Sequence, residues 1–288
     1  MQELEFHVNT PVPVSLRSYL RGQAGVSARL LSRLKRQPDG ILCNGKPIRA
    51  VDSVQQGDVL VLRLTDSTML EPNAALTVPV RYESDAVVVY DKPAGMPVHP
   101  SVHHRTDTLG NCFAARYPAL TFRPLNRLDR DTSGLCAVAK TAYAANALRD
   151  CLAKRYYAVV HAGLTGDGVI DAPIAREQDS IIRRCIRQDG RQAMTRYHVL
   201  GGNETYALLE LTLETGRTHQ IRVHCASIGY SLIGDGLYGG DCTLLQAQAL
   251  HCGQLSFPDC MTGAPVRLTS PCRPEMLALV PEVQLSYL

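Results

Sequence analysis

One carboxylate stands out in this sequence as a group equipped for chemistry. Asp129 lies in Arg127-Leu128-Asp129-Arg130-Asp131-Thr132-Ser133-Gly134, a polar loop that turns into the apolar run Leu135-Cys136-Ala137-Val138. A carboxylate acting as base or nucleophile must stay ionised while partly out of water. A neighbouring guanidinium favours the charged form and typically lowers such a group by about 1–3 pKa units. Arg127 and Arg130 are close in sequence, and a distant stretch offers another: Thr215-Gly216-Arg217-Thr218-His219-Gln220-Ile221-Arg222-Val223-His224. Ile221, Cys225 and Ile228 recur there at helical spacing, so Arg222 borders the face that packs inward. Its permanent charge and forked donors suit it as the ion-pair partner of Asp129. Taken alone, the first stretch is equally good turn material, since Asp, Thr, Ser and Gly all favour loops.

The elements that must position these groups follow from periodicity and turn chemistry. Residues 1–13 predict an arm with a strand through Leu4-Glu5-Phe6-His7-Val8, closed by Pro11 and Pro13. Residues 14–64 predict a small αβ domain. Apolar residues at helical spacing run from Ser15 to Arg36, broken at Gly22 and Gly25, with Ser27 capping a second helix over 28–36. Strands follow on either side of Asn44-Gly45 and, after the turn at Gly57-Asp58, over 59–64. Residues 65–79 read as a linker. A second domain covers 80–288, with strands predicted at 87–90, 135–140, 156–161 and 208–213 and a turn at 91–95. Helices are predicted at 142–152, capped by Thr141, and at 219–228, stopped by Gly229. Segments 181–187 and 193–200 flank Asp189-Gly190 and predict a hairpin. The class is α+β, rich in antiparallel pairing.

Composition narrows the partners. Residues 14–50 hold eight cations against the single carboxylate of Asp39, a net +7 that leaves −4 for the rest of a +3 chain. A basic module on a near-neutral body suits docking on a polyanion, although a merely solvated basic helix face has the same signature. The ten cysteines include no CxxC pair, so free thiols in a reducing compartment are expected. His99, His103 and His104 cluster without a zinc-like spacing, and no metal site is predicted. No leader pattern and no run of eighteen apolar residues is present, so a cytoplasmic protein without a membrane span is expected.

Together and in this order, the two stretches resemble the RluA-like family of pseudouridine synthases. Further motifs are similar to that family's: Asp91-Lys92-Pro93-Ala94-Gly95, Lys154-Arg155-Tyr156-Tyr157-Ala158-Val159-Val160, and a tail through Ile228-Gly229, Leu232, Gly234-Asp235 and Leu237-Tyr238-Gly239. Leu250-His251 and Thr262-Gly263 resemble its closing strands. Asn126 departs from the pattern, standing where the family's loop usually opens with His.

The resemblance implies a pseudouridine synthase fold, a mixed and largely antiparallel sheet with flanking helices, and isomerisation of uridine to pseudouridine in RNA without a cofactor. It implies that Asp129 attacks or assists at the sugar carbon and that Tyr156 stacks on the uracil and serves in proton transfer. Tyr157 then points to the opposite face of its strand. Arg222 would hold Asp129 ionised, and Arg127 would enter the RNA stack beside a flipped base. Residues 14–64 resemble an S4-type RNA-binding domain, which implies phosphate contacts by Arg29, Arg33, Lys35 and Arg36. The expected partner is RNA, with large-subunit rRNA ahead of tRNA, bound by a monomer. Two rivals differ in class: a non-catalytic RNA binder has no use for an acid facing a polyanion, and a nucleoside or glycoside hydrolase would need a second carboxylate.

Overall fold

The computed structural model describes residues 2–64 and 70–284. Residues 65–69 of the expected linker and 285–288 of the expected second domain lie outside them. The N-terminal part is built on a four-stranded sheet of order β1-β6-β3-β4, made by β1 (Gln2–His7), β3 (Ile41–Cys43), β4 (Lys46–Pro47) and β6 (Val59–Leu64). The short strands β2 (Val14–Ser15) and β5 (Ser53–Val54) pair separately. Leucines alternate along β6, so Leu60 and Leu62 face the buried leucines of α1 (Leu16–Gly22) and α2 (Ala28–Leu34). Ser15 and Ser27 cap these helices by accepting from the amides of Ser18 and Leu30. The arm's strand pairs along β6 from Gln2–Leu64 to His7–Val59, which makes it part of the same sheet.

The second sheet has nine strands. It comprises β7 (Val80–Glu83), β8 (Val87–Lys92), β9 (Ser133–Ala139), β10 (Ala153–His161), β11 (Asp167–Asp171), β14 (Met194–Gly202), β15 (Tyr206–Leu213), β16 (Leu250–Pro258) and β17 (Pro265–Thr269). The order is β11-β14-β15-β10-β16-β9-β8-β7, with β17 beside β16. Every neighbouring pair is antiparallel except β9 and β16, which run parallel. Helices α3 (Leu109–Arg116), α4 (Ala142–Ala147), α5 (Gln220–Ser227) and α6 (Pro274–Leu277) flank it. Along β10, Tyr156, Ala158 and Val160 join the main core, while Tyr157 and Val159 pack with Met276 and Val280 on the other side. Among the described residues no helix is long and apolar enough to cross a membrane.

The two parts touch. Phe6 and Tyr143 meet edge to face at 5.3 Å, and Asn146 Nδ2 of α4 donates to the Gly25 carbonyl at 2.6 Å. Residues 71–73 of the expected linker lie along α3, with the Asn111 amide donating to the Glu71 carbonyl.

Several expectations are corrected. Asp189-Gly190 does not join 181–187 to 193–200: β13 (Arg184–Ile186) pairs with β12 (Ile174–Arg176), while β14 pairs with β11 and β15. The turn is local, but the nine-residue β14 finds more ladder partners in the main sheet. The helix expected over 142–152 ends at Ala147, and α2 ends at Leu34. Ile228 lies just past α5 and is exposed rather than inward.

The loop that carries Asp129 is pinned by polar side chains. Asn126 donates to the Leu135 carbonyl and accepts from the Ala137 amide, which lashes the loop's entry to β9. The Thr132 hydroxyl accepts from Gln248, and Ser133 Oγ lies 2.9 Å from His251 Nδ1. Since His251 Nε2 faces the Ser270 carbonyl, the proton belongs on Nε2 and Ser133 donates to Nδ1. Gly134 adopts φ +105°, and a Cβ there would run into the Cys252 backbone. Lys92, fully buried, spends its three protons on the carbonyls of Pro93, Met96 and Arg130 at 2.7–3.0 Å.

Lys92→Met leaves three carbonyls without a donor and should cost about 2 kcal/mol in urea unfolding, with turnover falling more than RNA affinity. Glu83 accepts from Lys140, Tyr117 and Arg116, which lowers its pKa from 4.5 to about 2. Its stabilisation is therefore present above 4.5 and lost as pH falls through about 2. Because the group is a third exposed, Glu83→Gln should cost only about 1 kcal/mol near neutral pH. The gap from the parent should close in acid unfolding curves toward pH 2.

Candidate active site

Asp129 and Arg222 meet across a long stretch of sequence. Arg222 Nη1 donates to Asp129 Oδ2 at 3.0 Å. The helix geometry explains the reach: Ile221, Val223 and Cys225 anchor α5 in the interior, and Arg222 is buried between them. Asp129 remains partly exposed, at 26% of its side chain. Arg130 turns away and pairs with Asp131.

The pair lies on the wall of a cavity of about 760 Å³, lined also by Arg127, Tyr156, His99, Arg184 and His219. This volume admits a nucleoside. Arg127 is exposed at the rim. Tyr156 is buried at 6% exposure, and burial pushes its phenol well above the ordinary range. A bulge aims it: Arg155 pairs with Gln254 but Tyr156 pairs with Cys252, so Gly253 is the extra residue.

Asp235 is the group that residue spacing did not disclose. It is 1% exposed and takes both Nε and Nη2 of Arg222, at 2.6 and 2.8 Å. Burial works against the Arg222 cation, but hydrogen bonding and charge from Asp235, then the charge of Asp129, outweigh it and raise its pKa. The Tyr238 ring lies 5.0 Å from the guanidinium carbon. Tyr238 also accepts the Arg184 amide and lies 2.8 Å from His219 Nδ1. His219 holds a left-handed backbone (φ 57°) that a non-glycine residue seldom adopts. Burial lowers its pKa, and a proton on Nε2 serves both its contacts: Nδ1 accepts from Tyr238, and Nε2 faces Asp129 at 3.8 Å. In sequence, Gly234-Asp235 and Leu237-Tyr238-Gly239 stand out only as part of the tail motif, where their types suggest a turn.

The basic residues of the N-terminal part lie elsewhere. Arg29, Lys35 and Arg36 are exposed on and just after α2. Arg33 is half-buried, and its Nε and Nη2 are closed off from solvent with no hydrogen-bond partner among the described residues. It presents less of its charge outward than its three neighbours.

Comparison with known proteins identifies the family. The RNA pseudouridylate synthase family matches residues 86–227. An uncharacterized RNA pseudouridine synthase of Bacillus subtilis, YjbO, is 35% identical over 271 residues, covering 90% of this chain and 96% of its own length. The ribosomal large subunit pseudouridine synthase D of Xanthomonas campestris is 36% identical over 264 residues, covering 83% of this chain and 80% of its own. Among solved structures, the human RNA pseudouridylate synthase domain containing 1 superposes with a TM-score of 0.60 at 26% identity, over 74% of this chain and 90% of that one. The chain therefore belongs to the RNA pseudouridylate synthase family and is an RNA pseudouridine synthase.

Proposed function

We propose that this synthase isomerises uridines of large-subunit ribosomal RNA, with Asp129, Tyr156 and Arg222 as its catalytic residues. The reading rests above all on one observation: a carboxylate paired to a buried guanidinium opens onto a cavity of nucleoside size. The target RNA is supported by the name of the Xanthomonas relative and by the basic surface of the N-terminal part.

In this reading the target uridine flips out of its stack, at a cost of a few kcal/mol. Arg127, exposed at the cavity rim, fills the gap. Asp129 acts at the sugar carbon, and the bond from N1 to C1′ breaks. The detached uracil turns against Tyr156, and C5 bonds to C1′. C5 then gives up its proton and N1 gains one, so atoms balance without a redox partner. Arg222 orients Asp129 and offsets its charge against the RNA backbone.

Residues 14–64 act in this reading as an S4-like RNA-binding domain, with the arm 1–13 completing its sheet and 65–79 leading to a catalytic domain over 80–288. Arg29, Lys35 and Arg36 grip phosphates; Arg33 contributes through its remaining exposed surface.

Asp129→Asn should bring pseudouridine formation below detection while RNA affinity stays within about threefold. Retained modification in mass-spectrometric mapping would remove the mechanism. Replacing Arg29, Lys35 and Arg36 together by Ala should flatten the plot of log affinity against log salt by about 2, since each phosphate contact adds about 0.7–0.9 to the slope. An unchanged slope in filter-binding titrations would show that this face does not hold RNA.

A further inference from the structure

Arg222 serves its two carboxylates unequally. Asp235 occupies the Nε–Nη2 edge with two hydrogen bonds, and Asp129 receives Nη1 alone. Among the described residues the side-chain contacts of Asp129 fall on Oδ2: the 3.0 Å bond from Arg222, and His219 Nε2 at 3.8 Å. Among the described residues Oδ1 takes no protein hydrogen bond, while Asp129 lines the cavity.

We propose that Asp235 is a positioning residue for the reaction, which holds the fork of Arg222 sideways and thereby leaves Asp129 Oδ1 free as the reacting oxygen. This rests on the reading of Asp129 given above. The chemistry of the guanidinium makes the division necessary. Arg and a carboxylate prefer to meet fork to fork, with two parallel charge-assisted bonds. An Arg222 free to turn would take both oxygens of Asp129 in that way and blunt it as a nucleophile. Asp235 removes the option by claiming one full edge. The Tyr238 ring, 5.0 Å from the guanidinium carbon, limits rotation further.

The test uses the whole chain and RNA from cells lacking this gene, tritiated at C5 of its uridines, because tritium leaves when C5 bonds to carbon. In Asp235→Asn the carboxamide keeps the shape but gives up one acceptor and the charge. The expected result is a kcat lowered about a hundredfold with KM within about threefold of the parent. Because Asp235 acts through Arg222, adding Asp235→Asn to Arg222→Gln should change the residual rate less than about threefold. An equal further loss in the Arg222→Gln background would show that Asp235 acts on something other than Arg222, which would overturn the assignment. So would a kcat near the parental value, or a KM that rises in step with the loss. If Asp235→Asn alone fails to fold, Asp235→Glu keeps a paired charge beside Arg222 while displacing its fork. A kcat lowered by about tenfold or more with KM near the parent supports the proposal, and a parental kcat overturns it. Asp129→Asn separates the two levels. Tritium release there would remove the role of Asp129 itself, whereas its loss beside a parental rate in Asp235→Asn would remove this inference alone.

Discussion

The structure turns on a buried cation that two carboxylates share. Removing a guanidinium from water costs several kcal/mol, and only well-placed counter-charges and hydrogen bonds offset that. Arg222 has both, from Asp235 on one edge and Asp129 on the other. Its position forces three remote segments together: α5, the glycine-flanked turn that holds Asp235 and Tyr238, and the loop before β9. None of these segments is a long regular element, yet each ends on the same planar group.

A loop of this kind needs substitutes for a ladder. Between Asn126 and Ser133 the backbone turns too sharply for sheet pairing, so side chains satisfy it. Asn126 bridges to β9, Lys92 reaches the Arg130 carbonyl from β8, and Gln248 and His251 secure Thr132 and Ser133 from the side of β16. Asn126 is informative because the family's motif has His there. Its amide binds both a carbonyl and an amide of β9, so the position acts here as a brace rather than as a reactive group.

Much of this arrangement was legible in the residue order, and what escaped notice did so for physical reasons. Ser27 announced the start of α2, and the alternation of Val59 to Leu64 announced β6, because caps and strand periodicity are local. The partner of β14 was not legible. Asp189-Gly190 advertises a turn, but ladder choice depends on which remote strand offers the longer match. Asp235 escaped because an acid between glycines looks like turn material, and only the folded chain reveals a cation beside it. Arg33 illustrates the reverse: its sequence neighbours are solvent-facing cations, yet the helix turn carries its guanidinium partly inward.

Among the described strands only β9 and β16 pair in parallel, and this bears on how the protein comes into being. Ser133 and His251 are 118 positions apart, yet they lie side by side in the finished sheet. During synthesis β9 leaves the ribosome long before its neighbour exists, with one edge open and its loop unbraced. The loop that carries Asp129 is thus braced late, when residues near 250 pair beside β9. A polypeptide interrupted before them holds the carboxylate without the scaffold that fixes its loop.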